Sequence, residues 1–161
     1  MQRWSVGTRA GALEGSLDVP RGRLVLPSRS ALGLTLVRGS NAPGNEGSRN
    51  LELVWGATRI WLTGDAEQEG LAEALEAEHF TGPSTLLLLP HHGSSTPYLG
   101  MLLEETRPQE VWISSGAPPA VGAELSRRGL NWACTHLDGP QERVFGLDSR
   151  NLLGIQPGEH D

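Results

Sequence analysis

The chain of 161 residues contains a single cysteine, Cys134, and no lysine. One cysteine excludes an intrachain disulfide and a zinc site built from several cysteines. All 13 basic residues are arginines and the formal net charge is −6, so the surface offers no general electrostatic attraction to nucleic acid. Any contact with DNA is therefore expected to be local.

Long hydrophobic runs are also missing. The longest, Leu86 to Leu89, has the length of a strand, whereas a membrane-spanning helix needs roughly 20 apolar residues. Residues 1–6 lack the apolar core of a secretory signal. We therefore expect a soluble chain with no signal and no membrane span.

What the sequence does contain is a series of short elements separated by turns, in keeping with 21 glycines and 11 prolines. Strands and helices alternate through much of the chain, which is typical of an α/β fold. The predicted strands cover residues 24–26, 32–37, 51–55, 58–62, 84–89, 111–114, 130–135 and 143–147. The predicted helices cover residues 66–79, 98–106 and 119–128, with a surface loop at 39–49.

Asp65 is the first residue that can carry chemistry. It ends the run Thr63-Gly64-Asp65 behind a predicted strand and precedes a helical pattern. A carboxylate in this position can bind a cation or can cap the helix that follows. From the residues alone the N-cap is the simpler interpretation, because it requires nothing else from the sequence.

Two adjacent histidines, His91 and His92, follow the predicted buried strand 84–89. Neutral imidazole is a common metal ligand. Because ligand sites in open α/β sheets lie at the carboxyl ends of strands, we expect the histidines and Asp65 to meet at one edge and to share a cation. The alternative is an ordinary turn in which both histidines are merely hydrogen-bonded.

Ser94, Ser95 and Thr96 come next, at the predicted start of a helix. Hydroxyls and backbone N–H groups at a helix start form a suitable place for a phosphate, so Ser94 and Ser95 are candidate phosphate-binding residues. In the alternative interpretation Ser95 or Thr96 only caps the helix.

The order of several segments resembles the metallo-β-lactamase-fold domain of the ComEC competence family, which takes part in DNA uptake. The segments are Asn50-Leu51-Glu52-Leu53-Val54, Ile60-Trp61-Leu62-Thr63-Gly64-Asp65 and Leu89-Pro90-His91-His92-Gly93-Ser94. Arg107-Pro108, Val111-Trp112-Ile113-Ser114-Ser115-Gly116 and Thr135-His136-Leu137-Asp138-Gly139 extend the similarity, which runs from about Leu24 to Gly146.

This resemblance implies a binuclear metal hydrolase fold, with two sheets sandwiched between helices. Asp65 would be the bridging ligand, His91 the first choice as the direct ligand, and His92 its orienting neighbour, or the reverse. The metal would be zinc or manganese, and the reaction phosphodiester hydrolysis of single- or double-stranded DNA. All three residues, Asp65, His91 and His92, would then be catalytic, and the parent protein would be membrane-associated.

The family's His-x-His-x-Asp-His element, which holds most of the first metal, does not occur in this sequence. The resemblance therefore implies a partial domain at residues 23–150, an incomplete αββα sandwich, between an irregular segment at 1–22 and a flexible tail at 151–161. Its expected partners are the missing upstream half of the domain, or a membrane channel, and a second copy through self-association. The alternative is an inactive binding or structural module that keeps the fold without a working metal site.

Overall fold

The computed structural model describes residues 22–26, 32–40 and 42–145. These residues form one seven-stranded sheet in which the order of the strands follows the order of the chain. The strands are β1 (Gly22–Leu26), β2 (Leu32–Arg38), β3 (Arg49–Trp55), β4 (Thr58–Leu62), β5 (Leu86–Leu88), β6 (Glu110–Ile113) and β7 (Asn131–Cys134). The α/β class predicted from the sequence is confirmed.

The sheet is antiparallel in its first half and parallel in its second. Strands β1 to β4 form a meander, and β4 to β7 pair in parallel. The predicted strands 51–55 and 58–62 form the antiparallel hairpin of β3 and β4, with Gly56 at φ 60° in its two-residue turn. A positive φ at this position suits the tight turns that join antiparallel strands, and glycine adopts it without strain.

Each parallel pair is joined by a helix, because a parallel connection must carry the chain back to the start of the sheet. The connecting helices are α1 (Gln68–Glu76), α2 (Leu99–Thr106) and α3 (Gly122–Arg127), and a short α4 (Thr135–Asp138) follows β7. The three connections advance in one direction across the sheet, so crossovers of one hand place α1, α2 and α3 on the same face.

The hydrophobic core lies between that face and the three helices. Trp61, Leu87 and Val111 point from neighbouring strands and are fully buried, and they pack with residues of all three helices. Phe80 meets the Trp61 ring edge to face, with the ring centroids 4.9 Å apart. In the part of the chain that the structure describes, the architecture is therefore one mixed sheet with one layer of helices.

Several predicted boundaries differ from the observed ones. Residues 143–145, predicted to belong to a last strand, form no strand, and Thr135, predicted as the end of a strand, begins α4. The first helix spans Gln68–Glu76 rather than 66–79. The predicted irregular segment, except for Gly22 in β1, and the predicted tail lie outside the described residues.

Among the residues described, no helix combines the length and the apolar character that crossing a membrane requires.

Candidate functional site

The candidate site lies at the edge of the sheet where the parallel strands β4, β5 and β6 end. The loops after β4 and β5 are tied to each other, because the His91 N–H donates to the Gly64 carbonyl at 3.2 Å and the Thr63 hydroxyl to the Leu88 carbonyl at 2.5 Å. Carboxyl ends of adjacent parallel strands share one edge of a sheet, which is why residues far apart in sequence meet here.

Asp65 and His92 face each other at this edge. The distance from His92 Nε2 to Asp65 Oδ1 is 3.7 Å, and both side chains are about half exposed. Two ligand atoms that each lie about 2.1 Å from one zinc ion are at most about 4.2 Å apart, so this separation is compatible with a shared ion. The structure thus brings together the carboxylate and one of the imidazoles singled out in the sequence.

The orientation of His92 is set by the loop after β6. Its Nδ1 lies 2.6 Å from the carbonyl oxygen of Ser114. A carbonyl oxygen can only accept, so Nδ1 carries the proton in this contact. The neutral imidazole then has its lone pair on Nε2, the nitrogen that faces Asp65. In many metal-binding histidines an Nδ1–H bonded to a backbone carbonyl orients the ring so that Nε2 can bind the metal.

His91 takes a different partner. Its Nε2 lies 3.7 Å from Oε1 of Glu67, and the same carboxylate oxygen accepts a hydrogen bond from the Asn45 side-chain amide at 3.0 Å. His91, the predicted first choice for the direct ligand, therefore faces Glu67, whereas His92 faces Asp65. Glu67 was not predicted as a site residue. The only indication of its role in the sequence is that it follows Asp65 by two residues and precedes a helix.

Both histidines have left-handed backbone conformations, with φ 46° at His91 and φ 56° at His92, and Gly93 continues at φ 71°. Three consecutive left-handed residues are unusual, and each non-glycine residue of this kind costs roughly 1–3 kcal/mol. A Cβ on Gly93 would lie 2.7 Å from Cγ2 of Ile113, so only glycine fits against β6. In this strained loop the two ring centroids lie 6.4 Å apart and the ring planes are tilted by 55°.

Asp65 is not the N-cap of α1, so the simpler interpretation of this residue is wrong. Helix α1 begins at Gln68, and Glu67 is its N-cap residue without a side-chain cap hydrogen bond. The N–H of Gly70 is instead bound by the Glu46 carboxylate at 2.5 Å. Because Glu46, from the β2–β3 loop, binds this N–H group of α1, the Asp65 carboxylate does not serve as a helix cap.

The β2–β3 loop and the start of β3 also fix the backbone around Asp65. The side chain of Asn50, which is 2% exposed, accepts the Gly64 N–H at 3.2 Å, and the Ser48 hydroxyl accepts the Asp65 N–H at 3.2 Å. Gly64 has no Cβ, which would lie 2.8 Å from the Arg49 carbonyl oxygen. The loop predicted to be a simple surface connection is therefore part of the scaffold of the site.

A cavity of about 230 Å³ lies beside the His91–Glu67 pair, and its lining includes Ser94 and Ser95. Both serines are exposed, but helix α2 begins only at Leu99, so they do not sit at its N-terminus. Neither serine caps the helix, and the Tyr98 N–H reaches the Thr96 hydroxyl at 3.3 Å. With a carboxylate in the same wall, the cavity suits a phosphate only when a cation offsets the negative charge.

Few side chains that could bind a metal surround Asp65. Within the described ranges, no three or more histidine, cysteine, aspartate or glutamate side chains are arranged to hold one metal ion. Zinc sites in proteins usually have three or four protein ligands. The geometry therefore fits part of the ligand set of a cation site rather than a complete set.

Neither a protein-family model nor a curated protein matches this chain.

Proposed function

We propose that this chain contributes part of a divalent-cation site for phosphodiester hydrolysis, as a partial metallo-β-lactamase-fold domain of the ComEC kind. The single observation that carries this proposal is the convergence of Asp65 and His92 at the ends of β4 and β5, 3.7 Å apart. An imidazole whose Nδ1 is held by Ser114 presents Nε2 to a carboxylate, so one cation can contact both ligand atoms.

In this function Asp65 is the anionic ligand, His92 the neutral ligand through Nε2, and the Ser114 carbonyl the group that orients His92. His91 then serves the neighbouring pocket with Glu67, Ser94 and Ser95. A bound zinc or manganese ion would supply an activated water and would stabilise the negative charge that develops on a phosphodiester, in single- or double-stranded DNA.

The site requires further ligands, and we place them in a second polypeptide segment that carries the His-x-His-x-Asp-His element. That segment would add the second sheet of an αββα sandwich, within a parent protein anchored at a membrane. Two ligands hold a cation weakly, so the chain alone is expected to bind metal loosely and not to hydrolyse DNA.

A second candidate function, a binding or structural module without metal, rests on a specific observation. The described residues contain no arrangement of three or more ligands. In that case the strained histidine loop would serve only to contact a partner.

Cation binding separates the two candidates. Zinc binding to the full chain is measured by calorimetry, and Mn²⁺ binding by electron paramagnetic resonance, for the wild type and for Asp65→Ala and His92→Ala. The matched controls are Glu69→Ala and His136→Ala, which remove exposed residues of the same kinds. The proposal expects each site variant to weaken binding at least tenfold and each control to bind like the wild type.

Equal binding by the wild type and both site variants, or no binding by the wild type at millimolar metal, would exclude the cation site and favour the structural module. Adding the His-x-His-x-Asp-His segment as a separate polypeptide is the second step. The proposal expects tighter metal binding and cleavage of a DNA oligonucleotide, both lost in Asp65→Ala.

A further inference from the structure

Two arginines lie opposite each other at the edge of the sheet that carries Asp65. Arg38 is the last residue of β2, Arg49 is the first residue of β3, and the strand register pairs them. Strands β2 and β4 are both antiparallel to β3, so these two residues lie at the edge where β4 ends. Like charges directly opposite each other destabilise a pair of strands. An unfavourable local arrangement of this kind is expected at a functional site, where a ligand offsets it.

The backbone of Arg49 is held beside Asp65 by its two neighbours in the chain. The Ser48 hydroxyl accepts the Asp65 N–H, and the Asn50 side chain accepts the Gly64 N–H. The carbonyl oxygen of Arg49 lies 2.8 Å from the position that a Cβ on Gly64 would take. Side chains alternate between the two faces of a sheet, so Arg49 points to the face opposite the buried Asn50. The Arg49 side chain therefore leaves the sheet close to the proposed cation ligand.

The charge of Arg49 has no carboxylate partner within the described part of the chain. Arg49 is exposed, and no aspartate or glutamate of that part forms an ion pair with it. Arg38 brings a second guanidinium to the same loop, because its Nη2 lies 3.1 Å from the position of a Cβ on Gly47. Four other arginines each contact a glutamate, and these are Arg59, Arg127, Arg128 and Arg143. Arg49 thus offers a positive charge that is open to an anion.

Negative charge at the same edge restricts which anion can bind. The carboxylates of Asp65 and Glu67 lie there, and the chain has a net charge of −6. A cation at Asp65 and His92 would offset the first carboxylate, while Arg49 supplies positive charge on the adjacent side. A nucleic-acid strand carries phosphates at regular intervals, so one phosphate can meet the cation while a neighbouring phosphate meets the arginine.

We propose that Arg49, with Arg38 opposite it, binds a phosphate of a nucleic-acid strand, next to the phosphate that meets the cation. This role of Arg49 rests on the proposed function, which puts the reacting phosphate at Asp65 and His92. A guanidinium donates two parallel hydrogen bonds to a phosphate and stays charged at every physiological pH. Arg49 is then a positioning residue that fixes the strand on the site and reads no base sequence.

The position of Arg49 is compatible with the second sheet of the proposed function. Further along the strands, the same face carries apolar residues such as Leu36 and Leu51, which are paired in register and half-buried, and which a second sheet can cover. Arg49 begins β3 at the level of the loop that carries Asp65. It therefore lies at the edge that has to stay open for a substrate to reach the cation.

Binding of a short labelled oligothymidine to the full chain, followed by fluorescence anisotropy in millimolar Mn²⁺, tests this role. The wild type is expected to bind at low salt and to release the strand as the salt concentration rises. Arg49→Gln is expected to weaken binding at least threefold. It should also lower the slope of log affinity against log salt by about 0.7, the value for one phosphate contact with a single strand.

Arg107→Gln is the matched control, because it removes the same charge from an exposed arginine. Arg107 precedes β6 and so lies at the opposite edge of the sheet, and its variant should bind like the wild type. Arg49→Lys keeps the charge and is expected to keep the salt slope. Arg49→Gln removes one of two like charges and should not lower the stability in urea, so its weaker binding cannot be assigned to misfolding.

Equal affinity and equal salt slope for the wild type and Arg49→Gln would overturn the role of Arg49. So would an equal loss in Arg107→Gln, or a wild type that does not bind the oligothymidine at all. The cation site fails in a different way, with Mn²⁺ bound equally by the wild type and Asp65→Ala. If only the role of Arg49 is wrong, Asp65→Ala still lowers Mn²⁺ binding while Arg49→Gln leaves the oligothymidine affinity unchanged.

Discussion

The side-chain oxygen of Asn50 accepts the backbone N–H of Gly64 at 3.2 Å, which joins β3 to the loop that carries Asp65. Asn50 is 2% exposed, so water cannot easily replace this contact. A buried amide that loses its partner costs its full desolvation energy. The position of Asp65 therefore depends on a side chain from a different strand.

The first prediction concerns this contact. Asn50→Ala is expected to lower the free energy of unfolding by about 1–3 kcal/mol, because the Gly64 N–H is left without its side-chain acceptor. Urea denaturation followed by circular dichroism measures the change. Asn131→Ala, at an exposed position in β7, should stay within about 0.5 kcal/mol of the wild type. Equal effects of the two substitutions would contradict the role given to Asn50.

The second prediction concerns the histidine loop. Gly93→Ala is expected to destabilise the protein by roughly 2–4 kcal/mol, because its backbone is left-handed and the new Cβ would overlap the Ile113 side chain. Gly116→Ala is the control, since a Cβ there meets nothing within 4 Å. Both are compared by urea denaturation. A Gly93→Ala protein as stable as the control would contradict the close approach of Gly93 to Ile113.

The third prediction concerns the proton on His92. Free histidine favours the tautomer with the proton on Nε2, but the Ser114 carbonyl requires it on Nδ1. Long-range ¹H–¹⁵N correlation spectra at alkaline pH, where imidazoles are neutral, are expected to show Nδ1–H for His92. The exposed His136 should show the ordinary tautomer. The same Nε2–H pattern in both residues would remove the orienting role of Ser114.

The fourth prediction concerns Arg143 and Glu110. Their two hydrogen bonds lie near the surface, with the arginine side chain 38% and the glutamate side chain 15% exposed. Arg143→Gln is therefore expected to cost no more than about 1 kcal/mol, and less at high salt. The pKa of Arg143 is raised, so its contribution is complete below the ordinary arginine pKa and is lost only as the pH rises beyond it.

No dependence on pH near neutrality should therefore come from Arg143, and urea denaturation across that range would detect one. Arg49→Gln, at an exposed position in β3, serves as the control. Arg49 lies opposite Arg38, so the loss of its charge should not lower the stability at any salt concentration.

Much of the fold could be predicted from the sequence because the decisive signals are local. Two β-prone runs around Gly56-Ala57 predicted the strands of the β3–β4 hairpin, and the leucine run predicted the central strand β5. The N-cap of α1 was predicted wrongly because the contact that binds its N–H group comes from a distant part of the sequence. Glu46 lies 24 residues before Gly70, and no local sequence pattern predicts a capping contact at that separation.

The alternation of strands and helices, and the residue types at the strand ends, follow from the amino-acid sequence alone, because hydrophobic periodicity and turn chemistry act over a few residues. The packing of strands and loops established that His92 rather than His91 faces Asp65 and that Glu67 joins the site. These relationships arise where separate strands and loops meet, and their distances follow from packing across the sheet rather than from neighbours in the chain.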